Sequence, residues 1–443
     1  MLTPDDFKIK NLGKCKIRSP LQLSTVAGDK LANYMTDDMK VRYFVEVKEG
    51  QTVDDSIGFE KSGPREWIYF DPAVTKAAIV TCGGLCPGMN NVIRSAVLEL
   101  YHKYGVKNIY GIKFGYRGLN PAYGYFPIEL KPDIVEDIHK VGGTFLGSAR
   151  GNEDTKVMVN TLKKLGIQIL LCVGGDGTLR GAHAIHEEIT KQGLDIAVVG
   201  IPKTIDNDID YVWKTFGFDT AVEVSRQVLD CAHVEATGAP NGIGLVKVMG
   251  RDSGFIAANA TLASLEVNFT LIPEVPFDLY GKGGLLDLLE QRLNQRDHAV
   301  VVVAEGAGQD ILASQNTRKD ESGNILHEDV GVFLRDEIKK FFSKKNVSLN
   351  LKYIDPSYMI RSVPANGSDS IFCDYLARKA VHAAMAGKTD IVIGLWHNSF
   401  THVPIPLAVA RRKKINSESG LWASVLEATG QPATIKNTDE LKK

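Results

Sequence analysis

The sequence predicts an α/β protein with two Rossmann-like, three-layer lobes of mostly parallel sheet, preceded by an N-terminal extension. From residue 76 onward, short apolar runs alternate with stretches whose apolar residues recur at helical spacing. Several runs, such as IQILLCVGG at 167–175, are apolar throughout, which is typical of parallel strands covered on both faces. The same alternation returns from residue 241 onward, and this repetition predicts the second lobe.

The elements follow one another as strand, helix and strand, as parallel sheets with crossover helices require. In the first part, strands are predicted at 77–81, 108–115, 167–175 and 196–202, and helices at 90–105, 153–166 and 178–193. In the later part, strands are predicted at 241–250, 298–306 and 389–396, and helices at 254–266, 328–342 and 370–387.

These patterns divide the chain into four parts. Residues 1–75 lack the alternation and are either an extension packed on the main body or a partly ordered arm. Residues 76–217 and 360–410 are predicted to form one lobe, 218–359 the other, and 411–443 a C-terminal helical extension. The polar stretch at 308–329 is predicted to be an exposed loop. The extension and this loop are candidates for regulation or for contacts between subunits.

The composition is that of an ordinary soluble globular protein. Hydrophobic residues make up 44% and charged residues 24%, and the formal net charge is -1. Such a balance gives no global field for nucleic acid or an anionic membrane, so neither is expected as a partner. The six cysteines form no CxxC pair, which indicates a reducing compartment without disulfides or a zinc site. Without a signal peptide or a long apolar run, the expected location is cytoplasmic.

A glycine turn follows the first predicted strand, in VTCGGLCPGMNN at 80–91. Gly83 and Gly84 would let the backbone approach an anion closely. A helix is predicted to begin near Pro87 and Gly88, because proline suits the first helical turn. The free N–H groups at such a helix start attract phosphate. Taken alone, the motif fits a tight turn and a phosphate site equally well.

A second glycine turn, VGGDGTLRGA at 173–182, also joins a strand to a helix. Asp176 is predicted at the carboxyl end of the strand, where ligands of open α/β sheets bind and where a carboxylate can hold Mg²⁺. Gly177 leaves space for a nucleotide, and Thr178 can cap the helix and donate to a phosphate. The alternative is an N-capped helix after a glycine turn. The acid inside the turn favours a phosphate site.

The segment GIPKTIDNDID at 200–210 places Lys203, Thr204, Asp206 and Asp208 within six residues. In an extended segment, residues two apart face the same side, so the two aspartates would share one site. Paired carboxylates beside a lysine suit one acid as general base and the other as its partner. An ordinary Asp- and Asn-rich turn is the alternative, and the adjoining Lys203 and Thr204 favour chemistry.

Two arginines are candidates for holding a transferring phosphoryl group. Arg150 ends GGTFLGSAR, and Arg251 lies in VMGRDSG after an apolar strand. A guanidinium can bind two phosphoryl oxygens at once. Either arginine alone would more often be a surface residue.

The later part of the chain carries candidates for holding a sugar phosphate. Lys352, Tyr358 and Arg361, in KYIDPSYMIR, are candidates for a second phosphate. Glu305, at the end of an apolar strand, is a candidate acceptor for a sugar hydroxyl. His183 and His186 lie at helical spacing, but without a third ligand nearby they are interpreted as helix-face histidines.

These motifs together resemble the 6-phosphofructokinase family. VTCGGLCPGMNNVIR, GGTFLGSARG, GGDGT, PKTIDND, VMGRDSGF, VAEG and YIDPSYMIR occur here in the order seen in that family, over about residues 60–410. The long ATP-dependent branch is the most similar, because its N-terminal extension contains a segment like GPREWIYF at 63–70. The resemblance implies a glycolytic, allosteric kinase that uses ATP and Mg²⁺, accepts fructose 6-phosphate and assembles as a homotetramer.

The resemblance also implies roles for individual residues and lobes. Asp206 would take the proton from the sugar 1-hydroxyl, supported by Thr204, Asp208 and Lys203. Arg251 and Arg150 would stabilise the transferring group, and Asp176 would hold Mg²⁺. The lobe at 76–217 and 360–410 would bind the nucleotide, and the lobe at 218–359 the sugar phosphate. Nucleotide positions would be Gly84, Arg150, Gly151, Gly175, Asp176, Gly177, Thr178 and Gly181. Sugar-phosphate positions would be Thr204, Ile205, Asp206, Met249, Gly250, Arg251, Glu305, Lys352, Tyr358, Met359, Ile360 and Arg361.

The choice of phosphoryl donor depends on one position in this resemblance. A second aspartate after GGD goes with pyrophosphate, whereas glycine goes with ATP, and this chain has Gly177. Lys203 favours the other donor, because pyrophosphate-dependent enzymes also carry PKTIDND, although the long ATP branch shares that lysine. The alternatives are a pyrophosphate-dependent enzyme, a catalytically silent subunit that senses sugar phosphate, and an NAD or diacylglycerol kinase.

Two residues depart from the pattern of many bacterial members. Cys86 stands where those members have a small residue after an aspartate. Gly242 stands where they have an arginine that reaches the sugar phosphate across a subunit boundary. The second departure concerns how subunits share the acceptor site and leaves the transfer step unaffected.

Overall fold

The computed structural model describes residues 2–50, 52, 54–151, 153–312 and 327–438. The strands are β1 (Lys10–Asn11), β2 (Ile17–Arg18), β3 (Lys40–Arg42), β4 (Gly58–Lys61), β5 (Trp67–Ile68), β6 (Lys76–Thr81), β7 (Asn108–Ile112), β8 (Ile128–Glu129), β9 (Ile169–Gly174), β10 (Ala197–Pro202), β11 (Gly242–Val248), β12 (Phe269–Leu271), β13 (His298–Ala304), β14 (Asn350–Ile354), β15 (Lys388–Thr389), β16 (Ile391–Trp396) and β17 (Ser399–Pro404). The α-helices are α1 (Met89–Leu98), α2 (Pro132–Val135), α3 (Thr155–Leu165), α4 (Asp176–Lys191), α5 (Phe218–Thr237), α6 (Phe255–Ser264), α7 (Leu285–Arg296), α8 (Val330–Lys344), α9 (Met359–Ser362), α10 (Gly367–Met385), α11 (Ile405–Ala408) and α12 (Gly420–Thr429).

The chain forms two compact units, each assembled from separate segments. Unit 1 comprises the chain up to Thr204, then Ile209–Gly217 and Ser362–Arg412. Unit 2 comprises Ile205–Asp208, Phe218–Arg361 and the chain from Lys413 onward. Within the described ranges, no helix has both the length and the apolar character that crossing a membrane requires.

Unit 1 is built on a nine-stranded sheet with the order β3-β4-β17-β16-β10-β9-β6-β7-β8. The five central strands, from β16 to β7, run parallel, whereas β17, β4, β3 and β8 pair antiparallel at the two sides. Strands β9 and β10 are buried at every position, which explains why their sequences are apolar without alternation.

Helix α4 shows why the helices of unit 1 form where they do. Its buried residues include Leu179, Ala182, Ile185 and Ile189, which recur at three- and four-residue spacing and therefore lie on one face. That face packs on β9 and β10. Helix α3 begins at an Asp154 side chain that accepts a hydrogen bond from the backbone N–H of Val157, as an N-cap residue does.

The strand order of unit 1 creates a switch point between β6 and β9. The chain leaves β6 through α1 to β7 on one side, and it leaves β9 through α4 to β10 on the other. Because β6 and β9 are parallel neighbours, with Thr81 opposite Val173, their carboxyl ends lie at the same edge. Ligands of open α/β sheets bind at such an edge. Both predicted glycine turns follow these two strands.

Unit 2 has a four-stranded, fully parallel sheet with the order β12-β13-β11-β14. Helices α7 and α8 bury a leucine-rich core against one face of it. Helix α5 packs on β11 and against α6. The chain leaves β11 toward β12 and leaves β13 toward β14, so a second switch point lies between β11 and β13.

The N-terminal residues contribute directly to unit 1. Strand β4 pairs with β17, and β3 pairs with β4, so the extension enlarges the main sheet. Phe7 and Phe59 are buried in the core, and their rings pack edge to face with centroids 4.8 Å apart. Arg65 donates to Asp37 and to Glu60, at 2.7 and 2.8 Å. These residues therefore belong to the body of unit 1.

The predicted fold class is confirmed: unit 1 has a large, mostly parallel sheet and unit 2 has a fully parallel one, and the predicted strands and helices form within a few residues of their expected limits. The helix predicted at 90–105 continues beyond α1 as a π-helical segment, Glu99–Tyr104. Most of the loop predicted at 308–329 lies outside the described residues.

Candidate active site

The first glycine turn of unit 1 is held against two neighbouring segments. The backbone N–H of Gly83 donates to the carbonyl of Ala149 at 3.1 Å, and the Ser148 hydroxyl donates to the carbonyl of Gly83 at 2.6 Å. The Lys203 ammonium donates to the Gly84 carbonyl at 2.8 Å. The turn, the segment that ends at Arg150 and the predicted catalytic lysine therefore lie together at the carboxyl edge of the sheet.

Glycine is required at the start of helix α1. Gly88 is the N-cap, with φ of 97°, and an added Cβ there would lie 2.5 Å from the Cys373 sulfur. Gly151, next to Arg150, also has a positive φ, of 105°. Only glycine adopts these conformations without strain. Glycine, which was taken as a sign of a phosphate-binding turn, is thus also required by the backbone conformation at these positions.

The second glycine turn starts helix α4 at Asp176, with Gly175 as its N-cap. The Asp176 carboxylate is 3.1 Å from Arg180 Nε and 3.7 Å from Arg412 Nε. Sequence reasoning missed both arginines. The spacing of four residues on a helix could have identified Arg180, but Arg412 is more than two hundred residues away in the sequence.

The prediction that Thr178 caps helix α4 is wrong. The helix begins two residues earlier, and Thr178 is a buried residue of its first turn. An added Cβ at Gly177 would meet no atom within 4 Å, so this position borders open space. Gly181 has a packing role, because an added Cβ would lie 2.5 Å from the ring of Tyr116. That ring is fixed by a hydrogen bond from its hydroxyl to the Thr178 carbonyl at 2.7 Å.

The expectation that residues 204–208 are extended is also wrong. Ile205 and Asp206 lie in a turn, and Asn207 has a left-handed φ of 52°. The argument that Asp206 and Asp208 face one side because they are two apart therefore does not apply. In unit 2, the Ser253 hydroxyl donates to the Asp206 carbonyl at 2.9 Å, and the Lys413 N–H donates to the Asp208 carbonyl at 2.9 Å.

The loops after β11 and β13 pack directly on each other in unit 2. The N–H of Glu305 donates to the Val248 carbonyl at 3.0 Å, and the N–H of Gly306 donates to the Gly250 carbonyl at 3.1 Å. Gly250 has φ of 131°, and a side chain at Gly306 would collide with the Arg251 carbonyl. The structure thus places Met249, Gly250, Arg251 and Glu305 at the switch point of this sheet.

Glu305 is a carboxyl group that burial makes less acidic. Desolvation raises its pKa above the ordinary glutamate value, and nearby Arg251 and Lys247 oppose this shift without cancelling it. A partly buried carboxyl group with a raised pKa beside an arginine is typical of ligand-binding sites. The sequence had predicted Glu305 from its place at a strand end.

The remaining predicted sugar-phosphate residues lie on β14 and around α9. Lys352 is exposed on β14, opposite Gly244. Tyr358 and Met359 are largely exposed, whereas Ile360 is fully buried and is not accessible to a ligand in this structure. The Arg361 guanidinium lies 4.9 Å from the centre of the Tyr358 ring, and its Nε is buried with no hydrogen-bond partner among the described residues.

Metal-binding clusters are absent from the described residues, where no group of three or more His, Cys, Asp or Glu side chains converges. The two helix-face histidines have other partners: His183 Nδ1 is 2.9 Å from Asp390 Oδ1, and His186 Nδ1 is 3.1 Å from the Thr389 hydroxyl. Asp176, the carboxylate predicted to bind a metal ion, therefore does not belong to a cluster of three or more such side chains among the described residues.

Comparisons with known proteins all find phosphofructokinases. The family model described as Phosphofructokinase matches residues 76–384. The ATP-dependent 6-phosphofructokinase of Borreliella burgdorferi is 51% identical over 440 residues, covering 98% of this chain and 98% of that protein. The ATP-dependent 6-phosphofructokinase of Amycolatopsis methanolica is 45% identical, covering 97% of this chain and 95% of that protein. Among solved structures, the pyrophosphate-dependent phosphofructokinase of Marinobacter aquaeolei has a TM-score of 0.66 at 18% identity, over 81% of this chain and 91% of that one, which shows a shared fold.

Proposed function

This chain belongs to the phosphofructokinase family, and from that premise we propose that it is an ATP-dependent 6-phosphofructokinase. It transfers the γ-phosphoryl group of ATP to the 1-hydroxyl of fructose 6-phosphate, and the products are fructose 1,6-bisphosphate and ADP. Near-full-length relatives with that name, at 51% and 45% identity, support the activity.

The donor assignment depends on one observation, the open space at Gly177. A Cβ added there meets nothing within 4 Å, so the first turn of α4 borders a region that can admit a nucleotide. An aspartate there would place a negative charge against the donor's phosphates. The glycine turns after β6 and β9 offer backbone N–H groups and the N-termini of α1 and α4 to those phosphates.

The proposed donor residues fit Mg²⁺ carried by the nucleotide. Mg²⁺ in such sites is usually bound by one or two carboxylates together with substrate phosphates. Asp176, one carboxylate at the start of α4, matches that pattern. When bound there, the ion would neutralise charge on the phosphates and help to orient them.

Asp206 is the proposed general base for the acceptor. Its carboxylate takes the proton of the sugar 1-hydroxyl as that oxygen bonds to the γ-phosphorus, and the bond from that phosphorus to the bridging oxygen of ADP breaks. No covalent intermediate with the enzyme forms. Arg251 and Arg150 stabilise charge on the transferring group, because a guanidinium can bind two of its oxygens. Thr204, Asp208 and Lys203 support this chemistry.

The sugar phosphate is assigned to residues of unit 2. Glu305 accepts a hydrogen bond from a sugar hydroxyl, and Lys352, Tyr358 and Arg361 hold the 6-phosphate. The buried Nε of Arg361 supports this assignment, because a buried N–H without a partner is unfavourable unless a ligand satisfies it.

A pyrophosphate-dependent reaction on the same acceptor is the second candidate function. Lys203, which such enzymes share, is the observation that favours it. In this chain the Lys203 ammonium donates to the Gly84 carbonyl, so it supports the first glycine turn whichever donor is used.

A donor comparison tests the proposed function. The purified protein is incubated with fructose 6-phosphate and Mg²⁺, and with ATP or pyrophosphate at equal concentration, and fructose 1,6-bisphosphate is measured. We expect product with ATP and at most a trace with pyrophosphate. Product from pyrophosphate alone would assign the second candidate function, and no product from either donor would indicate a silent sugar-phosphate-sensing subunit.

The assembly and location are part of the same proposal. The family resemblance favours a cytoplasmic homotetramer. Light scattering coupled to size-exclusion chromatography measures the mass directly, for comparison with the 48.4 kDa of one chain. A mass of one or two chains at assay concentration would exclude the tetramer.

A further inference from the structure

Lys247 is a charged residue in an otherwise apolar strand. It lies on β11, one residue before its end, and its side chain is only 12% exposed. Its ammonium is 2.8 Å from Asp355 Oδ2 and 2.9 Å from Asp329 Oδ2. A lysine this buried is stable only when paired. The two aspartates supply that pairing from two different elements.

Asp329 ties this lysine to the start of helix α8. Its other oxygen accepts hydrogen bonds from the N–H groups of Gly331 and Val332, at 3.0 and 3.1 Å. Asp329 is therefore the N-cap of α8. One carboxylate thus joins the helix start to the end of β11 through Lys247.

Asp355 ties the same lysine to the turn that leads into α9. Its Oδ1 accepts hydrogen bonds from the N–H of Ser357, at 3.1 Å, and from the Ser357 hydroxyl. The next residue is Tyr358, whose ring lies under the Arg361 guanidinium. The position of Tyr358 and Arg361 therefore depends on a turn that begins at Asp355, which Lys247 holds.

The positive charge of Lys247 also affects the two aspartates beside it. Burial alone would lower the pKa of Lys247, but the hydrogen bonds with Asp355 and Asp329 raise it above the ordinary lysine value. Burial likewise acts to raise the pKa of Asp355, yet its bonds with Lys247 and Ser357 lower it. Without the lysine, two carboxylates in unit 2 would lack their shared counter-charge and would oppose the binding of an anion.

We propose that Lys247 is a positioning residue for the sugar phosphate: it fixes the Asp355–Arg361 segment to strand β11 and neutralises the carboxylates beside it. This inference rests on the proposed function, because it assumes that Tyr358 and Arg361 hold the 6-phosphate. Lys247 itself does not touch the substrate or the donor. Its contribution is to hold the residues that bind the acceptor.

The test compares Lys247→Met with Lys247→Arg. Methionine keeps the apolar stem but removes the charge, and arginine keeps the charge and the donors. For Lys247→Met we expect the KM for fructose 6-phosphate to rise about ten- to a hundredfold, as misplaced binding groups produce. The KM for ATP and the kcat at saturating sugar phosphate should stay within about twofold, and Lys247→Arg should recover most of the loss.

Two further variants make the result decisive. Lys340→Met removes an exposed lysine that pairs with Glu337 on α8, and it should leave every constant unchanged. Asp355→Asn should raise the same KM and should add little to Lys247→Met in the double variant, because the pair between Lys247 and Asp355 is already broken there. If Lys247→Met does not fold, the proposal is tested with Asp355→Asn, which should raise the KM for fructose 6-phosphate and leave the KM for ATP unchanged.

The outcomes separate the two proposals. If the wild-type protein does not phosphorylate fructose 6-phosphate, the proposed function fails. If it does, an unchanged KM for fructose 6-phosphate in Lys247→Met, or an equal rise in the KM for ATP, overturns the positioning role alone. Calorimetric titration of fructose 6-phosphate without nucleotide provides a readout independent of turnover, and it should show the same loss of affinity.

Discussion

Asp206 is the residue on which the proposed chemical step depends most directly. General-base assistance typically contributes about 10²–10⁴-fold to a rate. We therefore expect Asp206→Ser to lower kcat by at least about a hundredfold. The thermal transition should change little, because the Asp206 backbone carbonyl, which accepts the Ser253 hydroxyl, is retained. Initial rates at saturating ATP and fructose 6-phosphate measure the effect.

A second aspartate of unit 2 serves as the matched control for this variant. Asp230 forms an ion pair with Arg226 at 2.6 Å and accepts a hydrogen bond from Ser264. Asp230→Ser should retain normal turnover. A near-normal kcat in Asp206→Ser would refute the assigned base.

Gly177 allows a donor test that the fold tolerates. Because an added Cβ meets no atom within 4 Å and an acid in the first helical turn is favourable, Gly177→Asp should fold normally. We expect the KM for ATP to rise at least about tenfold, since the carboxylate would repel the donor's phosphates, while the KM for fructose 6-phosphate stays constant. Steady-state kinetics with each substrate varied in turn measures both constants.

Gly181, one turn later on the same helix, is the contrasting position. A Cβ there would lie 2.5 Å from the Tyr116 ring, so Gly181→Ala should lower thermal stability through overpacking. Unchanged ATP affinity in Gly177→Asp would mean that the open space at that residue is not used by the nucleotide.

A buried histidine of α10, His382, lies against the π-helical segment that follows α1, and it predicts how stability depends on pH. The Tyr104 hydroxyl is 2.9 Å from His382 Nδ1, and Glu99 lies 3.8 Å from Nε2. Burial first, then the nearby cations Lys379 and Arg378, lower the pKa of His382 to about 3. Between that value and the unfolded value of 6.5, the unfolded chain binds the proton and the folded chain does not.

Stability should therefore fall as pH drops below 6.5. The loss from this one group is about 2 kcal/mol between pH 6.5 and pH 5, at about 1.4 kcal/mol per pH unit. His382→Gln should be less stable at neutral pH but should show a shallower decline on acidification. His102→Gln, at an exposed histidine nearby, should keep the wild-type slope. Urea midpoints at several pH values measure both slopes, and parallel slopes for His382→Gln and wild type would contradict the prediction.

Unit 1 as a whole includes the N-terminal extension in its sheet and core. Strands β3 and β4 cover the edge of β17, and Phe59 is fully buried. A chain that begins at residue 76 would expose that edge and lose the buried rings of Phe7 and Phe59. Removing one such ring typically lowers the free energy of unfolding by about 3–5 kcal/mol. We expect it to aggregate, as measured by soluble yield and size-exclusion chromatography beside the full-length chain. A monodisperse product with a cooperative thermal transition would contradict this.

The pattern of residues was enough to predict the parallel strands and the place of both glycine turns at the edge of the unit 1 sheet. Buried strands such as β9 are apolar at every position, and both glycine turns directly follow such strands, so their place at the sheet edge follows from parallel topology. Apolar runs and glycine turns can be recognised from consecutive residues alone. Where the local conformation was misjudged, as at Thr178 and Asn207, the reason was a helix start or a left-handed turn that neighbouring residues do not specify uniquely.

Consecutive residues were therefore sufficient for most strands of the two main sheets and for the chemical types gathered at the strand ends, but β12, α7 and β14 of unit 2 were not predicted. Tertiary folding was needed to bring Arg412 to Asp176, Lys203 to Gly84 and Lys247 between Asp329 and Asp355. The physical reason is that an ion pair or a hydrogen bond acts over a few ångströms in space. Its partners can lie two hundred residues apart in the chain, at a separation that no periodicity encodes.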